Sequence, residues 1–336
     1  MEIPQLKPLQ LLLEDTKRIV VIPHQNPDGD ALGSCLAWAK FLEKKGHHTT
    51  IVSPNDYPDF LSWMPGQENI LLHSQQTESA ENAIQQADIL FTLDFNDLVR
   101  IDKLAETVKK SAVPCVMIDH HQNPKEYAEI QISYPDIGST CELVYHLINN
   151  WDAMAIDTSI ASCLYTGIMT DTGSFRFPTT TATTHRVIAH LMDCGAPHSN
   201  IHQNIHDSYT FDRVRLLGTG LTHLTQLDGV PAVYLTLSQQ ELNACNYQKG
   251  DTEGFVNYGL RLKGIQLAVI LIENQKEGKI KMSFRSKGTF PAHTFAETFF
   301  NGGGHKNAAG GVSWDNMIKT TEQLMKAINE WKDRFE

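Results

Sequence analysis

Strand-length apolar runs alternating with helical patterns constrain this chain more than any other feature. Arg18–Pro23 (RIVVIP), His48–Ser53, Ala87–Asp94 (ADILFTLD) and Pro114–Asp119 (PCVMID) read as strands. Ala31–Lys45 reads as a helix with apolar positions at Leu32, Leu36, Trp38, Ala39 and Leu42, and Thr140–Asn149 and Thr158–Met169 read as two more. Strands that stay apolar along their length are buried on both faces, and strands separated by helices pair in parallel. The expected fold class is α/β, with a helix-covered parallel sheet in the N-terminal half.

The pattern changes near His185. His185–Gly220 is largely helical, after which Gly229–Leu237, Leu267–Glu273 and Lys279–Ser286 are strand candidates, with Glu277-Gly278 as the turn before the last. Phe295–Phe300 reads as a short helix ahead of a glycine cluster. A chain of 336 residues is too long for one ordinary core and suits two domains. No internal repeat or low-complexity segment interrupts it.

Charge narrows the function. Lysine and arginine number 28 against 39 acidic residues, a formal charge of −11. Affinity for long duplexes comes largely from Lys and Arg, so tight sequence-blind binding to long DNA is disfavoured. A local anion pocket, or metal ions supplying the positive charge, stays compatible. The six cysteines, Cys35, Cys115, Cys141, Cys163, Cys194 and Cys245, show no C-x-x-C spacing and read as buried free thiols of a reducing compartment. No window is long and apolar enough to span a bilayer, and Met1–Asp15 reads as an amphipathic helix rather than a signal peptide. The expected location is the cytoplasm, with no membrane partner.

The chemistry concentrates at strand ends. His24-Gln25-Asn26-Pro27-Asp28-Gly29-Asp30 follows the first strand and packs three metal-ligand types, His24, Asp28 and Asp30, around a Pro/Gly turn. One Asp would suffice to cap the following helix; two plus a His exceed that need. Asp94 ends the third run, and Asp119-His120-His121 ends the fourth. In open α/β sheets ligands collect beyond the carboxyl ends of strands, so these three sites share one sheet edge. Asp97 reads as a solvated turn residue. Asp171 follows an apolar helix, and its Thr172-Gly173-Ser174 loop suits either a fold back onto the site or an ordinary helix C-cap at Gly173.

His-x-x-x-Asp-x-Asp, a strand-end Asp, Asp-His-His and a late Asp-x-Gly together resemble the motif set of the DHH phosphoesterase superfamily. Gly302-Gly303-Gly304-His305-Lys306-Asn307-Ala308-Ala309-Gly310 resembles the glycine-rich motif of its DHHA1 companion domain. The resemblance spans essentially the whole chain, and its length is similar to the bacterial oligoribonuclease (nanoRNase) and 3′-phosphoadenosine-5′-phosphate phosphatase group. In Asp94-Phe95-Asn96-Asp97 only the first Asp matches clearly. The resemblance implies a DHH catalytic domain over residues 1–190, a helical linker over 191–225 and a DHHA1 substrate-binding domain over 226–336, with the active site in the cleft between the domains. It also implies two divalent ions, one held by His24, Asp28 and Asp94, the other by Asp30, Asp94, His120 and Asp171. Four carboxylates carrying −4 balance two divalent ions carrying +4, and a mixed His/carboxylate set suits Mn²⁺ better than Mg²⁺ or Zn²⁺.

By the same resemblance His121 faces the phosphate as donor or general acid, and Asp119 orients a histidine. The glycine motif would offer backbone N–H groups in a nest, with His305 beside it, and Arg285-Ser286 would supply a forked phosphate contact, so Arg285, Ser286, Gly303, Gly304 and His305 are the expected substrate-binding residues. Gly302–Gly304 as a plain turn and Arg285 as a surface strand residue are the bland alternatives. Lys306 and Arg176 are weaker candidates. The expected function is metal-dependent hydrolysis of short oligoribonucleotides and removal of the 3′-phosphate from 3′-phosphoadenosine 5′-phosphate. The partners would be short single-stranded RNA or DNA and nucleotide bisphosphates, never long duplexes; an oligomer is compatible with the sequence. The alternatives are an exopolyphosphatase or linear/cyclic-dinucleotide phosphodiesterase and, from another class, a non-enzymatic nucleotide-binding regulator.

Overall fold

The computed structural model describes residues Met1–Phe335 and divides into two compact units, one of residues Met1–Ser208 and one starting at Tyr209. The division falls inside the helical stretch that follows His185. Among the described residues no helix is long and apolar enough to cross a membrane.

The first unit holds six strands, β1 (Arg18–Pro23), β2 (His48–Ser53), β3 (Leu71–Leu72), β4 (Ile89–Leu93), β5 (Cys115–Asp119) and β6 (Ile130–Ser133). They form one parallel sheet in the order β3-β2-β1-β4-β5-β6. Its helices are α1 (Leu6–Leu12), α2 (Gly29–Lys44), α3 (Thr77–Gln85), α4 (Leu104–Lys110), α5 (Thr140–Asp152), α6 (Thr158–Asp171), α7 (Ala182–Asp193) and α8 (His198–His206). Alternate side chains of each strand serve opposite faces. Ile19, Val21, Phe91 and Ile118 join the core with α2, α5 and α6, whereas Val20, Ile22 and Leu90 pack with α3 and α4. That two-sided burial is why the strands read as unbroken apolar runs. The chain leaves β1 toward β2 and β3, then crosses back to place β4 on the other side of β1. The resulting switch point between β1 and β4 is where an open α/β sheet leaves room for a ligand.

Strand β6 escaped the sequence reading because an edge strand is only half covered and carries no continuous apolar run. Strand β3 is two residues long and carries no pattern at all.

The second unit holds β7 (Thr225–Gln226), β8 (Ala232–Leu237), β9 (Leu267–Asn274), β10 (Lys279–Ser286), β11 (Gly303–His305) and β12 (Ala308–Ser313), in the order β11-β12-β10-β9-β8-β7. Only β8 and β9 pair in parallel. Helices α9 (Phe211–Thr222), α10 (Gln239–Ala244) and α11 (Val256–Leu260) cover one face, and α12 (Ala292–Phe299) and α13 (Met317–Glu330) cover the other. The glycine motif is a correction to the expected nest: it forms an antiparallel hairpin, with Gly303 opposite Gly310 and Gly304 opposite Ala309. The reason is room. A Cβ on Gly302 would stand 2.0 Å from the Gly310 carbonyl oxygen, and one on Gly304, at φ +144°, would stand 2.5 Å from that of Ala308. The glycines allow two backbones to approach where side chains would collide.

Candidate active site at the sheet switch point

Strand β1 ends at Pro23 opposite Leu93 of β4, so the residues that follow each strand emerge side by side. His24 follows β1, Asp94 follows β4, and Asp119 closes β5 ahead of His120 and His121. Asp94 has φ +66°, and its N–H donates to the Ile118 carbonyl at 3.0 Å. Asp tolerates the left-handed region better than most residues, and strain of this kind gathers at functional sites.

Asp28 caps the helix and also faces His24. Its Oδ1 accepts from the Asp30 and Ala31 N–H groups at 3.0 and 3.1 Å, capping α2, while its Oδ2 stands 3.9 Å from His24 Nε2. Asp30, in the first turn of α2, is buried, and the start of α5 holds it: Oδ2 accepts from Thr140 N–H at 2.7 Å and Oδ1 from Cys141 N–H at 2.8 Å. Asp171 is likewise both things at once, the last residue of α6 ahead of Gly173 at φ +58° and a member of the site.

The donors converge. His24 Nε2 lies 3.5 Å from Asp94 Oδ2; His120 Nε2 lies 3.5 Å from Asp94 Oδ1, 3.4 Å from Asp171 Oδ2 and 3.8 Å from Asp30 Oδ2. Among the described residues three sets have ligand atoms within 4.8 Å of one another: His24, Asp28 and Asp94; Asp30, His120 and Asp171; and Asp94, His120 and His121. The donor chemistry fits divalent cations. Nδ1 of His24 is 2.8 Å from the Gln25 carbonyl and Nδ1 of His120 is 3.1 Å from that of Ile137. Carbonyls only accept, so each ring carries a proton on Nδ1 and turns Nε2 toward the carboxylates.

The electrostatics point the same way. Burial raises the Asp30 pKa well above the usual range, and the Asp94 and Asp171 carboxylates raise it further. Burial would also raise Asp94, but its hydrogen bond to His24 and the charges of the three histidines hold it far below. For His120 burial works against the charged form, yet Asp171, Asp94, Asp30 and Asp119 outweigh it and lift the pKa to about 9. Clustered buried carboxylates with imidazoles recruited as counter-charges are the signature of a site built around cations.

Asp119, fully buried, brings Oδ1 to 2.8 Å from His121 Nδ1. Burial lowers the His121 pKa, and this bond opposes the shift. The ring is thus oriented with Nε2 away from Asp119.

In the second unit Arg285 and Ser286 end β10 beside the glycine hairpin, Arg285 opposite Ala308 and Ser286 N–H donating to the Asn307 carbonyl at 2.9 Å. Gly303 and Gly304 line the hairpin's outer strand. The Ser286 hydroxyl is engaged internally: it donates to the Phe290 carbonyl at 2.7 Å and accepts from Asn307 Nδ2 at 2.8 Å. Ser286 therefore braces the hairpin turn. The side chain of His305 lies outside the described residues. Lys306 is exposed in the turn, and Arg176 is exposed with Nε donating to the Gly173 carbonyl at 2.6 Å.

Sequence reasoning missed three contributors. Ser139-Thr140-Cys141-Glu142 carried a helix-start signal, since Ser139 caps α5, but nothing in it said that the helix aims at Asp30. Arg100, whose carbonyl accepts from Gln25 N–H at 2.7 Å, brings positive charge near His24 and His121. Gly167 opens the space in α6 that Asp30 fills: a Cβ there would stand 2.8 Å from Asp30 Oδ1.

A family model described as the DHH family, N-terminal domain, matches residues 18–168, and one described as the DHHA1 domain matches residues 230–336. The bifunctional oligoribonuclease and PAP phosphatase NrnA of Thermus thermophilus is 28% identical over 322 residues, covering 93% of this chain and 89% of the relative. A probable manganese-dependent inorganic pyrophosphatase of Streptococcus mutans is 28% identical over 171 residues, covering 49% of this chain and 51% of the relative. The crystal structure of an exopolyphosphatase-related protein from Bacteroides fragilis is 36% identical, with a TM-score of 0.93 over 98% of this chain and 96% of that one.

Proposed function

Because the chain belongs to the DHH family and carries a DHHA1 domain, it is a hydrolase acting on phosphate esters, and we propose that it cuts short oligoribonucleotides to mononucleotides and removes the 3′-phosphate of 3′-phosphoadenosine 5′-phosphate. The observation that carries this reading is the meeting of His24, Asp28, Asp30, Asp94, His120 and Asp171 at the β1/β4 switch point. His24, Asp28 and Asp94 would hold one divalent ion, and Asp30, Asp94, His120 and Asp171 a second. Mn²⁺ suits this donor set, and a manganese-dependent relative supports the choice. When bound, the ions supply neutralising charge and an activated water.

The chain's own residues do the rest. Asp94 offers one carboxylate oxygen toward His24 and the other toward His120, so it would be the ligand the two sets share. His121, oriented by Asp119, presents Nε2 to the phosphate. The negative charge of an arriving phosphate raises the imidazole pKa, so Nε2 can carry the proton that the leaving ribose oxygen takes up. Attack by water breaks one P–O bond: a phosphodiester yields one free hydroxyl and one phosphate monoester, and the 3′-phosphate of 3′-phosphoadenosine 5′-phosphate yields a free 3′-hydroxyl and inorganic phosphate. Arg285 would contact a second phosphoryl or nucleotide group, with Gly303, Gly304 and His305 beside it. The net charge of −11 favours substrates with few phosphates.

The test is turnover by the Mn²⁺-loaded protein of an RNA dinucleotide, 3′-phosphoadenosine 5′-phosphate, inorganic polyphosphate, a cyclic dinucleotide and long duplex DNA. Mononucleotide release from the dinucleotide should be fastest. Faster breakdown of duplex DNA would end this reading. Preference for polyphosphate would transfer it to the second reading, an exopolyphosphatase, which the Bacteroides fragilis likeness favours.

A further inference from the structure

Two of the six proposed ligands, Asp30 in the first turn of α2 and Asp94 just after β4, come from different elements, yet Thr140 hydrogen-bonds to both. Thr140 is fully buried at the first turn of α5. Its N–H donates to Asp30 Oδ2 at 2.7 Å, and its hydroxyl donates to Asp94 Oδ1 at 2.8 Å. Cys141 N–H adds a second bond to Asp30 at 2.8 Å. The first N–H groups of a helix have no partner within the helix, and here two of them are used to fix a carboxylate.

The Asp94 bond is the informative one. The Asp94 backbone is already fixed, by its left-handed conformation and its N–H bond to Ile118. What remains free is the rotation of the carboxylate about its own side-chain bonds. Thr140 Oγ1 anchors Oδ1, the oxygen that also lies 3.5 Å from His120 Nε2 and 3.7 Å from His121 Nδ1. With Oδ1 so held, Oδ2 is left pointing at His24 at 3.5 Å. The hydroxyl therefore decides which oxygen serves which side of the site.

We infer that Thr140 is a positioning residue: it ties the Asp30 and Asp94 carboxylates to one rigid helix end and sets the orientation in which Asp94 is shared. The inference rests on the metal-dependent reading above and names a residue which that reading does not use. Thr140 is not one of the six proposed ligands. Its hydroxyl acts only through Asp94, as partners of metal-binding carboxylates do.

Three variants test it: Thr140→Val keeps the shape and removes the donor, Thr140→Ala removes donor and methyl together, and Thr140→Ser keeps the donor. Calorimetric titration with Mn²⁺ alone should show affinity about 10- to 100-fold weaker in the Val and Ala variants. The Ser variant should stay within about threefold of the parent, since the outer-shell bond that carries the effect survives. At saturating Mn²⁺, kcat on an RNA dinucleotide should fall in the Val and Ala variants while KM holds, because the substrate-contacting groups are intact. A purely structural threonine would lower the unfolding temperature without moving Mn²⁺ affinity or separating kcat from KM, and that result overturns the inference. So does a Ser variant as impaired as Val. If the parent itself neither binds Mn²⁺ nor turns over a phosphate ester, the metal-dependent reading fails instead, so the two failures are told apart.

Discussion

Replacing Gly167 by alanine isolates the space that the site needs. Gly167 lies inside α6 with an ordinary helical backbone, so alanine meets no conformational strain there. In propensity alone it would gain about 1 kcal/mol. The obstacle is steric: a Cβ would stand 2.2 Å from Cys141 Sγ, 2.9 Å from Cys141 Cβ and 2.8 Å from Asp30 Oδ1. All three are closer than carbon can approach, and Asp30 is pinned by two backbone N–H groups. Overpacking of a filled core costs roughly 1–3 kcal/mol. Set against the propensity gain, Gly167→Ala should lose about 0–2 kcal/mol of stability. Function should suffer more, because the relief available is a shift of Asp30. Mn²⁺ affinity should fall about 10- to 100-fold, the usual effect of disturbing the surroundings of a metal ligand. Urea unfolding gives the first quantity and calorimetric Mn²⁺ titration the second. The double variant Gly167→Ala/Cys141→Ala removes the Sγ contact but leaves the Asp30 one. It should recover part of the stability and little of the affinity. Recovery of both together, or a single variant that binds Mn²⁺ like the parent, would refute the assignment of this cavity to Asp30.

Other outcomes follow from the same geometry. Mn²⁺ at 100 times its dissociation constant should add about 2.7 kcal/mol to the folded state per ion, reversibly with EDTA, and His120→Ala should remove the part owed to the ion it would hold in thermal unfolding scans while keeping the native circular dichroism spectrum. Asp28→Ala removes a ligand and a helix cap together, so dinucleotide hydrolysis should vanish and stability fall by about 1 kcal/mol, measured by urea unfolding. His146 is pushed down by burial to a pKa of about 4. The unfolded chain then binds more protons than the folded one between that value and the ordinary 6.5, so stability should rise with pH across this window. His146→Leu should flatten the slope between pH 4.5 and 6.5 in denaturant titrations, and an unchanged slope would contradict the buried neutral ring.

The legible parts of the fold were those where one physical pattern ran long enough to be unambiguous. Strands β1, β4 and β5 are covered on both faces and so are apolar throughout, while the long helix α2 repeats its apolar face over several turns. Strand β6, half covered at the sheet edge, gave no such signal. The glycine motif was visible but its form was not. Glycines serve a nest and a close strand pair equally well, and only the collision that a Cβ on Gly302 or Gly304 would meet distinguishes them. Ser286 looked like a phosphate contact because it adjoins Arg285, but alternation along β10 turns it inward to Phe290 and Asn307.

What the sequence determined by itself is the set of candidate groups and the sheet edge they share. Local spacing fixes His24, Asp28 and Asp30 on one turn, and parallel strands of similar length end at one level. What only the tertiary structure decided is how groups far apart in the chain are held against one another. Thr140 and Cys141 grip Asp30 from 110 and 111 positions away, and Gly167 yields it room. Such contacts depend on where α5 and α6 pack, and packing is set by the sum of many side-chain volumes rather than by any motif.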